Sequence, residues 1–189
     1  MRENTNIEGC YVLSSPVFLD NRGWLTKVVD QENQPYIWTD DNPVAEVFWS
    51  ESVPGVFRGL HLQLPPHAVR KIVFCITGEI RDYVVDLRID SPTYLETFSV
   101  KLGQDENLSK GVVVPAGCAH GFFVPVSRSI VLYLQSGPRD IQSEAGLNVG
   151  ILDQREFLKT RIRLSDRDLK LPSIDDFPRL TKSEWEARE

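Results

Sequence analysis

Lys71-Ile72-Val73-Phe74-Cys75-Ile76-Thr77-Gly78-Glu79-Ile80-Arg81-Asp82-Tyr83-Val84-Val85-Asp86-Leu87 is a pair of apolar runs separated by one turn. β-Branched and aromatic residues fill both runs, a composition that packs well on a pleated surface, and Thr77-Gly78-Glu79 joins them as a tight hairpin would. The same grammar repeats outward from this stretch. Val44 to Trp49, Thr97 to Leu102, Gly111 to Val114, Gly121 to Val124 and Ile130 to Leu134 are runs of the same kind, punctuated by Asp90-Ser91-Pro92, Pro115-Ala116-Gly117 and Pro125-Val126-Ser127. Short strands at this spacing predict an all-β fold, a closed barrel or a two-sheet jelly roll, with its core over about residues 44–135. Helical pattern is scarce. Asp153 to Leu158 and Lys182 to Ala187 are each long enough for a turn or two, Gln104 to Ser109 reads as a short helix or a loop, and the charged, proline-containing tail from Ser165 is expected to wrap the surface.

The chain of 189 residues is sized for one core, so residues 1–189 are read as a single domain. A net charge of −6 with no basic block excludes nucleic acid and anionic membrane surfaces as the main partner. No apolar run approaches the roughly 18 residues of a membrane span, and Met1-Arg2-Glu3-Asn4-Thr5-Asn6 is too polar for a signal peptide; a cytoplasmic location is expected. Cys10, Cys75 and Cys118 are odd in number and widely spaced, which is the pattern of reduced, buried thiols rather than of a disulfide framework or a zinc site. An acidic protein can still hold an anionic ligand locally, and Arg58, Arg70 and Lys71 form a candidate phosphate-binding cluster.

The chemistry is concentrated in Arg58-Gly59-Leu60-His61-Leu62-Gln63-Leu64-Pro65-Pro66, in Lys71 just after it, and in Ala119-His120-Gly121-Phe122. Barrels with internal histidines often bind a metal, but His61 and His67 are six positions apart with two prolines between them. Six residues of strand span about 20 Å, too far for one ion. No metal site is therefore expected, and His61 and His120 are read as acid–base or phosphate-binding groups, imidazole being suited to proton transfer near neutrality. An isolated strand histidine is ordinarily a buried group satisfied by backbone; here Arg58, His61 and Gln63 lie together on one strand-like stretch, where they share or straddle a face.

Arg58 to Gln63, Lys71-Ile72-Val73 with Gly78-Glu79-Ile80-Arg81-Asp82, Val85-Asp86-Leu87-Arg88 with Ser91-Pro92-Thr93, and Pro115-x-Gly117-x-Ala119-His120-Gly121-Phe122 occur in one order along the chain. With Asp20-x-Arg22-Gly23, Leu132-Tyr133 and Leu164-Ser165-Asp166-Arg167-Asp168, the set resembles the dTDP-4-dehydrorhamnose 3,5-epimerase family from about Asn6 to Asp168. The resemblance implies a metal-free, cofactor-independent cupin-type jelly roll (a double-stranded β-helix), usually a homodimer, acting on a nucleotide-diphosphate sugar. The substrate would be a 4-keto-6-deoxyhexose, whose ketone makes the C3 and C5 hydrogens acidic. On the same resemblance His61 is the base, Asp168 its carboxylate partner, Lys71 the cation beside the forming enolate and Tyr133 the phenol that returns a proton from the opposite face. Arg58 and His120 are expected to contact phosphate and sugar, Asp82 to support the pocket, and Gln63 and Arg22 to bind substrate.

The chain also departs from the family pattern. Leu134-Gln135-Ser136-Gly137-Pro138-Arg139 stands where members commonly have a Lys, small residues and a Tyr-Tyr pair, and Val149-Gly150-Ile151 replaces a Trp with following acids. Upstream, Trp24-Leu25-Thr26-Lys27 stands where a glutamate is frequent, and Val47-Phe48-Trp49 replaces polar residues. These departures bear on the nucleotide base and the sugar more than on the pyrophosphate. Alternative readings are epimerisation at one centre only, a 3,4-ketoisomerase, a non-catalytic sugar-nucleotide-binding module and a metal-dependent dioxygenase.

Overall fold

A computed structural model describes residues 1–29, 43–103, 108–153 and 162–187. Two antiparallel sheets pack face to face, the jelly-roll solution for strands with one apolar face. The first sheet runs β1 (Arg2–Asn4), β2 (Tyr11–Asp20), β9 (Leu108–Val114), β6 (Lys71–Thr77), β11 (Ser129–Gln135) and β4 (Glu46–Ser52), with β3 (Gly23–Thr26) paired to the end of β2. The second runs β12 (Glu144–Gly146), β5 (Phe57–Gln63), β10 (Cys118–Phe123), β7 (Glu79–Asp86) and β8 (Thr97–Gly103).

The apolar runs became strands close to where the pattern placed them, but the hairpin over Lys71–Leu87 did not form. β6 pairs with β9 and β11, whereas β7 pairs with β8 and β10, so Thr77-Gly78-Glu79 carries the chain from one sheet to the other. Gly78 makes that corner feasible: its φ is +80°, and a Cβ there would lie 2.4 Å from the carbonyl oxygen of Arg128. A turn signal identifies a reversal of direction; which neighbours the strands then choose depends on apolar faces contributed from far along the chain. The N-terminal β2 likewise belongs to the first sheet itself, hydrogen-bonded along β9.

Alternation assigns each residue its layer. In β6, Val73 and Cys75 face the space between the sheets with Ile80, Val84, Val112, Phe122 and Val131. Ile72 and Phe74 face the opposite side, with Leu13, Val113 and Leu134. The outer face of the second sheet, Tyr83 and Val85 among its residues, is covered by Phe177 and Trp185 from the C-terminal tail, which wraps the surface as its composition implied. Lys182 to Ala187 yields α1 (Lys182–Glu186), started by a Thr181–Glu184 capping box. The Asp153 to Leu158 element falls at residues 154–158 outside the described residues, as do 104–107 of the Gln104 to Ser109 element; Leu108 and Ser109 open β9.

The Asp86-x-Arg88 and Ser91-Pro92-Thr93 motifs form one buried network. The Asp86 carboxylate accepts from Arg88 Nε and Nη2 at 2.8 Å each, from Ser91 Oγ at 2.6 Å and from Thr93 Oγ1 at 2.7 Å. Arg88 Nη2 also donates to the Glu8 carbonyl at 2.7 Å, tying the N-terminal segment to the second sheet. Burial pushes the Asp86 carboxyl up, but the Arg88, Ser91 and Thr93 hydrogen bonds outweigh it and the net direction is down. Stability from this group is therefore complete above the ordinary aspartate range and is lost as pH falls through the depressed native value. Asp86→Ala leaves a buried guanidinium unpaired and should cost about 3–5 kcal/mol in urea unfolding at neutral pH. The deficit should shrink as the pH is lowered through the acid range, and a deficit independent of pH would contradict the assignment.

Candidate active site

Two short β-residue facts create the site. On β5 and β10, His61 lies directly opposite His120 and Arg58 opposite Phe122, so three steps on β5 match two on β10. The extra residue is a β-bulge at Gly59, where φ is +116° and a Cβ would lie 2.7 Å from the Cα of Gly121 and the carbonyl oxygen of His120. The bulge turns Arg58 onto the face of His61, which settles whether these residues share a face or straddle it: both line one cleft.

That cleft, about 420 Å³, opens between β4, β6 and β11 of the first sheet and β5, β10 and β12 of the second. His61 and His120 look into it from the second sheet; Lys71 and Tyr133 look into it from the first.

Each histidine is backed by a carboxylate. His61 Nε2 lies 2.7 Å from Asp168 Oδ1, and the second oxygen of Asp168 accepts the Gly59 N–H at 3.4 Å. Asp168 opens a 3₁₀ turn (Asp168–Lys170) in the C-terminal tail, with its own N–H held by Ser165 Oγ at 3.1 Å. Although it sits among charged residues in sequence, its side chain is only 5% exposed. Burial raises the Asp168 carboxyl, but the His61 hydrogen bond and charge win and hold it below its ordinary value, so it stays ionised and engages Nε2. Nδ1 is then the nitrogen through which His61 can take a proton. His120 Nε2 lies 2.7 Å from Asp82 Oδ2, and both side chains are buried. Burial raises the Asp82 carboxyl despite the opposing pull of His120.

Two further groups are tuned by desolvation. Burial pushes Lys71 down to about 8, with Glu144 opposing and Arg167 reinforcing the shift. Burial pushes the Tyr133 phenol well above its ordinary value, so it is a neutral donor at physiological pH. Its ring stacks on Phe48 (centroids 4.8 Å, 12°) and meets His120 edge-on at 6.2 Å, which fixes the phenol against the cleft wall.

The structure thus brings His61, Asp168, Lys71, Tyr133, Arg58 and His120 together, with Asp82 behind His120. Two further residues expected to bind substrate, Gln63 and Arg22, are engaged by groups of the protein itself. Gln63 borders the cleft, but its amide is committed to backbone: Nε2 donates to the carbonyls of His67 (2.7 Å) and Pro138 (3.3 Å), and Oε1 accepts the Asp140 N–H (2.9 Å). Arg22 sits at the tip of the β2–β3 hairpin, 86% exposed and bound to Asp20, outside the cleft of its own chain. Arg70 is likewise absent from the lining.

Sequence reading missed Glu46, Ser50, Gln135, Arg139, Glu144 and Arg167, all of which line the cleft. Arg167 precedes Asp168 within a motif already singled out, Gln135 and Arg139 lie in the Leu134 to Arg139 segment that departs from the family pattern, and Glu46 and Ser50 flank the departing Val47-Phe48-Trp49; Glu144 lies in a segment with no pattern of its own. Among the described residues no group of three or more His, Cys, Asp or Glu is arranged to hold a metal ion.

A family model described as dTDP-4-dehydrorhamnose 3,5-epimerase matches residues 4–176. The dTDP-4-dehydrorhamnose 3,5-epimerase of Mycobacterium tuberculosis (strain ATCC 25618 / H37Rv) is 32% identical over 176 residues, covering 90% of this chain and 86% of its own. The crystal structure of the Sulfolobus tokodaii enzyme of that name superposes with a TM-score of 0.84 at 30% identity, covering 95% of this chain and 98% of that one. ChmJ, a 3'-monoepimerase from Streptomyces bikiniensis solved with dTDP, gives a TM-score of 0.84 at 25% identity, covering 97% and 94%.

The depressed Lys71 ammonium is directly measurable. In competitive acylation across pH, Lys71 should become reactive with a midpoint near 8, against about 10.4 for a model lysine. A Lys71 midpoint at the ordinary value would contradict its desolvated, half-buried placement in the cleft wall.

Proposed function

The chain belongs to the dTDP-4-dehydrorhamnose 3,5-epimerase family, and we propose that its cleft deprotonates and reprotonates a nucleotide-linked 4-keto-6-deoxyhexose at C3, C5 or both. The observation that carries this reading is the opposition of a carboxylate-backed imidazole on one sheet to a buried neutral phenol on the other, with the Lys71 ammonium, which has no ion-pair partner among the described residues, lining the same cleft. His61 Nδ1 takes the proton α to the ketone. The C–H electron pair becomes the C=C of an enolate and the negative charge moves to the C4 oxygen, where Lys71 receives it. Asp168 balances the imidazolium that forms. Tyr133 donates its proton to the same carbon from the opposite face, and the configuration inverts with no net redox change.

Arg58 is the cation for the diphosphate, aimed by Ser52 Oγ at 2.7 Å from its Nε. His120, fixed by Asp82, supplies a hydrogen bond to the sugar. Gln63 acts indirectly, by holding the rim loop. The protein is a homodimer in this reading, supported by Phe18, Leu19, Trp24 and Leu25 of the β2–β3 hairpin and by Val47 and Trp49 of edge strand β4, all more than half exposed. Arg22 then serves across that interface. A cytoplasmic location is supported by three free, buried cysteines; no described helix is long and apolar enough to cross a membrane. The likeness to a 3'-monoepimerase favours a second reading in which only C3 inverts.

Incubation with dTDP-4-keto-6-deoxyglucose in D₂O, followed by NMR, tests both. Deuterium at C3 and C5 identifies a two-centre enzyme, deuterium at C3 alone a one-centre enzyme, and none at either carbon overturns the assignment for this substrate. His61→Asn should reduce exchange by about 10²–10⁴-fold, the range for a lost general base, while dTDP-sugar binding persists. Tyr133→Phe should leave exchange ahead of inversion; equal loss of both would remove the phenol as a face-specific acid.

A further inference from the structure

We infer that Arg139 is a positioning residue: it holds the Glu144 carboxylate away from Lys71, so that the ammonium meets the substrate without a protein counter-ion. The inference rests on Lys71 being the enolate-facing cation, and its geometry is independent of that role. Glu144 lies on β12 and both of its oxygens accept from guanidinium groups. Oε1 accepts from Arg139 Nε at 2.7 Å, and Oε2 accepts from Arg139 Nη2 at 3.1 Å and from Arg167 Nη1 at 2.7 Å. Two guanidiniums thus close on one carboxylate, leaving the group net positive. Lys71, for which Glu144 is the strongest attracting charge, has no ion-pair or hydrogen-bond partner among the described residues.

The loop that carries Arg139 is pinned on both sides. From β4, Glu46 Oε2 accepts the Arg139 N–H at 2.7 Å and Gln135 Nε2 at 3.1 Å. From β5, Gln63 holds Pro138 and Asp140 by their backbone. The planar fork of arginine engages both carboxylate oxygens at once, which a lysine ammonium cannot do.

With the fork removed, Oε1 of Glu144 loses its partner inside a half-buried site, and the carboxylate, already the charge that attracts Lys71, is released to turn toward that ammonium. The other charged or titratable groups facing Lys71 are Glu46 from β4, Arg58 and His61 from β5, His120 from β10 and Tyr133 from β11. Glu46 is held by Gln135 and the Arg139 backbone, and His61 and His120 by their aspartates, so Glu144 is the carboxylate that Arg139 controls.

The test is competitive acylation of Lys71 in the full chain without substrate, joined to turnover and its pH profile on dTDP-4-keto-6-deoxyglucose. Arg139→Ala should raise the Lys71 midpoint by about one pH unit and lower kcat roughly tenfold, with a smaller effect on KM. Adding Glu144→Gln to that variant should return the midpoint to or below the wild-type value and recover kcat. Loop damage by itself would not be repaired by removing a second side chain. Arg139→Lys, which keeps the charge and loses the fork, should fall between wild type and Arg139→Ala, and it keeps the test open if the alanine variant fails to fold. An unmoved Lys71 midpoint in Arg139→Ala, or a double variant no better than the single one, overturns the inference. The labelling arm needs no substrate: a shifted midpoint in a protein without exchange activity would sink the epimerase assignment and leave the control of Lys71 by Arg139 standing.

Discussion

The close approach of β5 and β10 is the constraint on which the site depends. Gly59 and Gly121 press backbone against backbone where any Cβ would collide: one at Gly121 would lie 2.6 Å from the carbonyl oxygen of Arg58. The bulge this permits does three things at once. It rotates Arg58 onto the face of His61, sets His61 opposite His120, and leaves the Gly59 N–H free of the β5–β10 ladder to bind Asp168. A side chain at either glycine would displace Arg58, His61 and the Asp168 carboxylate behind it together.

Around that seam the site is built from desolvated charge. Lys71 is charged at a cost to the native state: with its value near 8, the unfolded chain binds more protons between that pH and the ordinary lysine value of about 10.4, and stability rises with pH across the window. Asp168 works in the opposite direction, because its hydrogen bonds more than offset its burial. The jelly roll absorbs the cost of Lys71 in an extensive apolar interior and in the Asp86–Arg88 network, which lies outside the cleft lining. The result is a cleft in which the Lys71 ammonium has no ion-pair partner among the described residues and the His61 imidazole is held by Asp168, an arrangement suited to moving a proton next to a growing negative charge.

Legibility in the sequence followed the range of the interactions. Period-2 alternation and turn residues are local, so the strands, the short C-terminal helix and the wrapping tail could be read directly. The supposed hairpin at Thr77-Gly78-Glu79 could not be read correctly, because partner choice is made by strands tens of residues away. Gln63 belongs by position to the Arg58 to Gln63 stretch and lines the cleft; only the folded chain shows that its amide also holds the backbone at His67 and Pro138. Arg22 was placed with the site on motif alone, and the hairpin carries it away from the cleft of its own chain.

By itself the sequence determined the all-β architecture and, through a motif set kept in one order, the family, whose pattern singles out His61, Asp168, Lys71 and Tyr133 as candidate site residues. Tertiary structure decided which of those groups are buried, which oxygen faces which nitrogen, and that Glu144, Arg139 and Arg167 join them at the rim. Residue type and spacing encode what a side chain can do. Its pKa and its partners depend on desolvation and on contacts between segments such as β12, β6 and the C-terminal tail, whose proximity exists only after the two sheets close.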